Sequence, residues 1–309
     1  MRNAFIKALT ELAAENERIW LLCGDLGFSV LESFRQRFPS RFVNAGVAEQ
    51  NMTGLAAGLA LCGKIVFTYS IANFPTLRCL EQIRNDICYH EANVKIVAVG
   101  GGLVYGPQGY THHGLEDLAI MRALPNMTVL APGDPVETEL VTKALIGQEG
   151  PGYLRLGGRC ERNIHSETPA FEIGKIIRLK VGDKAVIIST GGMLENVWTA
   201  AAALEKQGCP VAVWSCPCLK PMDAESIIEA SNTFPLIVTA EDAQLGGGLG
   251  GAVAEILASL KSPRARLCQL GLPGAIMERA FGQDAIQANF GLDSAGIFQA
   301  LLRLSKYEG

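Results

Sequence analysis

The stretch Asn44 to Asn51 reads N-A-G-V-A-E-Q-N, and Met52 to Gly63 continues it as M-T-G-L-A-A-G-L-A-L-C-G. It places one acidic residue, Glu49, between a short apolar strand and a long helix of small residues. No Lys or Arg follows within ten residues. Burial of a carboxyl without a cation disfavours its charged form and leaves a neutral, donating group. Such burial is costly for structure alone and points to chemistry. The competing reading is an acidic residue in the first turn of a helix, favoured by the helix dipole. That reading suits an exposed Glu better than one opening an apolar helix.

Apolar strands and helical patterns alternate outward from this point. The first half predicts strands over 19–23, 41–43, 65–68, 94–99, 128–131 and 153–156, and helices over 3–14, 30–38, 49–61, 74–88, 115–123 and 135–146. Continuous apolar strands joined by helices predict a parallel sheet covered on both faces. Asp134-Pro135 is a helix start with Pro at the first helical position. Residues 157 to 170 are polar and turn-rich, and 171–181 reads as a short hairpin in a linker. A second α/β unit follows, with strands over 185–189, 211–215, 236–240 and 266–270 and helices over 194–207, 223–230 and from Gly246 to about Leu260. The expected fold class is α/β, with two doubly wound domains of mostly parallel sheets: 1–170, a linker 171–184, and 185–309.

The 309 residues carry 49% hydrophobic and 19% charged side chains, with a net charge of −4. That balance gives no reason to expect nucleic acid or an anionic membrane as partner. No apolar run is long enough to span a membrane, and no signal peptide is seen. The nine cysteines sit singly in apolar runs, as in a reduced, cytoplasmic protein. Cys216 and Cys218 are too close for the usual zinc spacing, and no metal ligand set is expected within the chain.

Two glycine-rich stretches compete as sites. G-G-G-L-G-G, Gly246 to Gly251, suggests a phosphate cradle at a helix start, but it departs from G-x-G-x-x-G and reads better as close packing. Gly100 to Gly114 follows a buried strand directly and holds His112 and His113. Ligands bind at the carboxyl ends of strands in open parallel sheets, so this loop is the stronger candidate. His90 and His165 stand without a constellation. Asp25 and Ser29 follow another strand end and serve equally well as helix caps.

Three segments now stand together in order: G-V-A-E-Q-N-M-x-G-L-A-A-G-L-A, the loop G-x-T-H at Gly109 to His112, and L-P-N-M-T-V-L-A-P-G-D from Leu124 to Asp134. Together they resemble the C-terminal half of transketolase across nearly the whole chain. The resemblance implies a pyrimidine-binding domain and the family's C-terminal domain, thiamine diphosphate (ThDP) as cofactor, and transfer of a two-carbon ketol unit from a ketose to an aldose. Glu49 matches the glutamate that hydrogen-bonds N1′ of the aminopyrimidine and drives its imino tautomer. His112 matches a histidine near the donor hydroxyls. The resemblance further places Asp25, Leu26, Tyr69 and Phe74 at the cofactor, and Arg2, Ser29, Gln108, His112, His113 and Arg159 at the substrate.

The family's Gly-Asp-Gly…Asn motif for the diphosphate and Mg²⁺ has no match here. The chain therefore resembles one subunit of a split enzyme, expected to act only with an N-terminal subunit carrying that motif, as an α2β2 heterotetramer. A phosphate-side histidine of the family falls at Gly100, and an acidic residue that reads a sugar hydroxyl falls at Gln108. Aromatic positions flanking the pyrimidine fall at Ala72 and Pro75, with Phe67, Tyr69 and Phe74 close by. These departures imply a modified sugar: sulfonated, unphosphorylated at one end, or branched. The alternatives are the β subunit of a 2-oxoacid dehydrogenase, a deoxyxylulose-phosphate-synthase-like enzyme, and a non-catalytic assembly partner.

Overall fold

The computed structural model describes residues 1–157, 162–262, 265–275 and 281–306. Among these residues, twelve strands form two sheets. They are β1 (Ile19–Cys23), β2 (Phe42–Asn44), β3 (Ile65–Ile71), β4 (Val94–Val99), β5 (Thr128–Leu130), β6 (Gly152–Leu156), β7 (Ile177–Lys180), β8 (Val186–Ser189), β9 (Ala212–Ser215), β10 (Cys218–Lys220), β11 (Leu236–Gln244) and β12 (Arg266–Leu272). The first sheet runs β10-β5-β6-β4-β3-β1-β2 and the second β12-β11-β8-β9-β7. Every pairing among these strands is parallel except β10 with β5 and β7 with β9.

Helices cover both faces: α1 (Arg2–Glu15), α2 (Glu32–Arg37), α3 (Glu49–Leu61), α4 (Leu80–Gln82), α5 (Asp117–Ala123) and α6 (Pro135–Gly147), then α7 (Leu194–Glu205), α8 (Ala224–Thr233), α9 (Leu249–Ser259), α10 (Gln283–Asn289) and α11 (Ser294–Lys306). β4, at the centre of the first sheet, is buried along its whole length, as a strand covered on both faces must be. Side chains alternate along β3. Phe67 and Tyr69 pack with Phe5 of α1, while Val66 packs with Met52 of α3. α6 starts as its sequence requires: Asp134 accepts from the Glu137 amide at 2.8 Å and Pro135 takes the first position.

Four expectations change. The segment after β3 is not one helix over 74–88 but two turns of 3₁₀ and α structure followed by a π turn at Ile83–Cys88. The Thr76 hydroxyl, bonded back to the Ala72 carbonyl at 2.5 Å, holds the chain in a tight turn there. The expected hairpin over 171–181 is a single strand, β7, paired with β9 at the edge of the second sheet. Cys218–Lys220 lies in the second half of the sequence yet adds β10 to the first sheet, stitching the two units together. The last two helices, α10 and α11, are additions that the sequence pattern does not announce.

Candidate functional site

Glu49 opens α3 at the carboxyl end of the first sheet, with only 1% of its surface exposed. Its Oε1 accepts from the Ser70 hydroxyl at 3.1 Å, and its Oε2 accepts from Arg78 Nη1 at 2.6 Å. The expectation of a carboxyl buried without a cation is therefore corrected. The cation arrives from 29 residues away, on the irregular segment after β3. Gly24 lies over the carboxyl, where a Cβ would stand 3.1 Å from Oε1. The Arg78 side chain is itself 43% exposed, so the pair faces solvent on one side.

Contacts continue from this pair to the predicted histidine. The Arg78 guanidinium lies 4.7 Å from the centre of the Phe74 ring, and that ring meets His112 edge-on at 5.3 Å. The Tyr105 ring also meets His112, at 6.5 Å. Thr111 Oγ1 stands 3.0 Å from His112 Nδ1, which leaves Nε2 open. Asn73 donates to the Thr111 carbonyl at 3.3 Å, tying the histidine loop to the end of β3.

The loop from Gly100 to Gly114 is built on a buried ion network. Arg155 donates through Nε to Asp117 (2.9 Å), through Nη1 to Asp242 of β11 (2.7 Å) and through Nη2 to the Gly114 carbonyl (2.8 Å). A Cβ at Gly101 would collide with Arg155, and one at Gly102 with Asp242. Burial pushes the Asp117 carboxyl above its usual range, although Arg155 and the Tyr153 hydroxyl pull the other way. Gly100 has φ +73°, and the Tyr105 ring occupies the place a side chain there would take.

The other expected residues divide. Phe74 reaches the Glu49 side of the sheet. Tyr69 does not: it is buried on the opposite face, its ring stacked 6.1 Å from Phe5. Burial raises its hydroxyl pKa, and the charge of Arg2 partly offsets this, so Arg2 and Tyr69 share a neighbourhood away from Glu49. Asp25 is exposed at φ +56° and accepts from Asn44 Nδ2 at 2.8 Å, with Leu26 half-buried beside it. Ser29 is exposed at φ +63° and its amide donates to Glu32 at 2.7 Å. Gln108 is exposed on a 3₁₀ turn. His113 is corrected from a substrate contact to an internal brace: it is 1% exposed, with Nε2 3.2 Å from the Gly106 carbonyl. Arg159 lies outside the described residues. Ser70, Arg78 and Tyr105 escape the sequence reading, because only the folded sheet brings them together.

The second glycine stretch holds no free anion site. Glu241 of β11 accepts from the Leu249 and Gly250 amides at 2.8 Å each, and a Cβ at Gly248 would collide with its Oε2. The start of α9 is thus filled by the chain's own carboxylate, which agrees with the packing reading. Among the described residues no helix is long and apolar enough to cross a membrane. Cys216 and Cys218 are buried free thiols, and Cys216 Sγ donates to the Cys218 carbonyl.

Comparison with known proteins bears on this arrangement. Residues 1–159 match the transketolase pyrimidine-binding domain model and residues 174–297 the transketolase C-terminal domain model. A putative transketolase C-terminal section from Methanocaldococcus jannaschii is 40% identical over 100% of this chain and 97% of its own length. A 6-deoxy-6-sulfo-D-fructose transketolase subunit from Clostridium sp. strain MSTE9 is 35% identical, covering 97% of this chain and 92% of its own. A solved structure described as a split gene transketolase, inactive β4 tetramer, superposes with a TM-score of 0.87 at 38% identity, over 98% of this chain and 96% of that one. The chain belongs to the transketolase family, with that family's pyrimidine-binding and C-terminal domains.

Proposed function

We propose that this chain is the C-terminal subunit of a two-chain, ThDP-dependent transketolase that moves a two-carbon ketol unit from a ketose to an aldose. The observation that carries the reading is the setting of Glu49. Its carboxyl is sealed at the carboxyl end of parallel strands, one oxygen is fixed by a hydroxyl, and the other is held by a half-exposed cation. An aminopyrimidine needs a carboxyl oxygen, an aromatic wall and bare backbone over the carboxyl; Glu49, Phe74 and Gly24 supply these. When bound, the cofactor supplies an electron sink for cleavage of a carbon–carbon bond beside a carbonyl.

The chain's own residues then have definite tasks. Ser70 fixes Oε1 of Glu49, so Oε2, the oxygen now held by Arg78, would be the one to hold the cofactor's ring and a proton. Phe74 forms the wall beside it. His112, beside Phe74 and Tyr105, presents Nε2 to a substrate oxygen. Asp25 and Leu26 border the cofactor, while Arg2, Ser29 and Gln108 line the substrate side. Tyr69 acts through Arg2 rather than on the pyrimidine.

A partner chain completes the site, supplying the Gly-Asp-Gly…Asn motif for the diphosphate and Mg²⁺ in an α2β2 assembly in the cytoplasm. The outward face of α3 supports this. It carries no charge, exposes Leu55 and Leu61, and leaves open space at Gly54 and Gly58. Val47 and Phe28, 72% and 78% exposed, extend the apolar surface to the lip of the site. Relatives of about this length are named as subunits, among them one of the apulose-4-phosphate transketolase from Phocaeicola vulgatus, 34% identical over 99% of this chain.

The substrate is a modified sugar. Tyr105 fills the space above Gly100, and Gln108 offers an amide where a carboxylate would read a hydroxyl differently. The relatives named for apulose 4-phosphate and a sulfo-fructose point the same way. The deciding experiment reconstitutes the chain with a partner bearing Gly-Asp-Gly…Asn, ThDP and Mg²⁺, and assays a panel of donors and acceptors. Ketol transfer only in the two-chain mixture is expected. Turnover by the isolated chain would break the two-chain reading, and a preference for xylulose 5-phosphate with ribose 5-phosphate would break the modified-sugar reading. Matches to 1-deoxy-D-xylulose-5-phosphate synthases, such as that of Geobacter sulfurreducens at 35% identity over 46% of its length, favour one rival. Release of CO₂ from a 2-oxoacid would select that rival or a 2-oxoacid dehydrogenase.

A further inference from the structure

Asp134, Glu137 and His165 form a buried cluster at the start of α6, of which only the Asp134 cap has been given a role above. Most of its hydrogen-bonding capacity is spent. Glu137 Oε2 accepts from the Gly133 amide at 2.6 Å, and Asp134 Oδ1 accepts from the Glu137 amide at 2.8 Å. Asp134 Oδ2 accepts from the Ile164 amide and from His165 Nδ1, both at 2.9 Å. Among the described residues, Glu137 Oε1 and His165 Nε2 remain sealed from water without a well-formed hydrogen bond. The Glu137 and His165 side chains are 0% and 3% exposed. The buried Ser215 hydroxyl, at the end of β9, is placed to bond to Glu137 and favours its charged form.

Distance separates two explanations of this pocket. Nε2 and Oε1 stand 3.4 Å apart. An N–H···O hydrogen bond wants about 2.7–3.2 Å. Two ligands at about 2.0–2.1 Å from a tetrahedral ion stand roughly 3.3–3.4 Å apart. Asp134 holds His165 by Nδ1, which is how metal-binding histidines are oriented by a second carboxylate. In the metal-bound state two ionised carboxylates beside a neutral imidazole carry −2, which a divalent ion would cancel.

We propose that Glu137 Oε1, His165 Nε2 and Ser215 Oγ hold a divalent cation of the zinc class, with Asp134 as the orienting group. The ion joins α6 of the first unit, the crossing segment at His165 and β9 of the second, and so staples the domain junction. The groups facing the pocket are Asp134, Glu137, His165 and, at longer range, the Cys216 thiol.

The test uses the chelator-stripped full-length chain. Calorimetric titration with ZnCl₂ should give one tight equivalent that raises Tm and is not displaced by excess Mg²⁺. Cobalt at the same equivalent should give weak visible bands without sulfur-to-cobalt charge-transfer absorption. His165→Gln and Glu137→Gln should each weaken binding at least tenfold, whereas Cys216→Ser should not. Wild-type imidazole nitrogen NMR should show His165 Nε2 shifting on zinc addition, a readout that does not depend on the variants folding. No zinc equivalent in the wild type, a sulfur-bound cobalt spectrum, or an unmoved His165 signal would overturn the site. Because none of these readouts is activity, the result stands apart from the fate of the proposed function.

Discussion

Glu49 and Glu241 are both sealed carboxylates beside the start of a helix, yet only one is a candidate for chemistry. Glu241 spends each oxygen on a backbone amide of α9. Those donors are fixed, so the group is finished as a cap. Glu49 spends one oxygen on Ser70 and the other on a side chain that can swing away. The difference lies in the mobility of the partner, since burial is nearly equal at 1% and 0%. A buried carboxyl becomes a working group when one of its partners is replaceable.

The sharpest way to break that comparison is Glu49→Gln. Gln keeps its one oxygen for Arg78 and turns its NH₂ toward the Ser70 hydroxyl, which can accept, so Tm should change little. Activity reconstituted with the partner should fall about 100- to 10,000-fold, the span of a lost acid–base group. Retained activity would return Glu49 to the rank of a helix-start residue and favour a non-catalytic assembly partner. Glu241→Gln should do the opposite. An amide NH₂ turned toward one of the two α9 amides leaves a buried donor unsatisfied, at about 1–3 kcal/mol in denaturant unfolding. The folded fraction should keep its kcat.

Arg78→Met tests the middle of the comparison. It leaves Oε2 of Glu49 without a donor in the free chain, so stability should fall, by about 1–2 kcal/mol. If Arg78 is the group given up on binding, as the proposed function has it, ThDP binding in the assembled enzyme should weaken far less than with Glu49→Gln. Equal losses of activity in the two variants would make Arg78 part of the working site rather than its placeholder.

The sequence carried the parallel-strand core well, because β1, β4 and α3 announce themselves by local periodicity and have the bounds it gives. It also singled out Glu49 and His112, which the fold joins through Arg78 and Phe74. It could not carry Arg78, whose meeting with Glu49 depends on an irregular turn after β3. Nor could it tell Tyr69 from Phe74: alternation along β3 and the turn after it send one ring to Phe5 and the other to His112. His165 stands alone in the sequence because its partners, Asp134 and Glu137, lie about thirty residues upstream across a strand and a turn-rich segment. β10 is invisible for the same reason, being a three-residue strand that pairs outside its own unit.

The smallest effect is a matter of pH, and it bears on the finished member of the pair. Burial pushes the Glu241 carboxyl up to about 7, while the Gly250 and Leu249 amides and Arg155 pull down less strongly. In the unfolded chain the same group titrates near the ordinary Glu value, about 4.3. The folded state therefore holds the proton more tightly. This stabilising contribution is complete below the unfolded value and is lost as pH rises through about 7. Unfolding free energy measured from pH 4.5 to 8 should show that decline in the wild type, and Glu241→Gln should flatten part of it. Glu137 is also raised by burial and contributes a decline of the same sign, so the difference between the two proteins, not the wild-type slope, isolates Glu241. Parallel profiles would mean that the α9 amides hold Glu241 ionised throughout, and that its sealed position costs less than its burial implies.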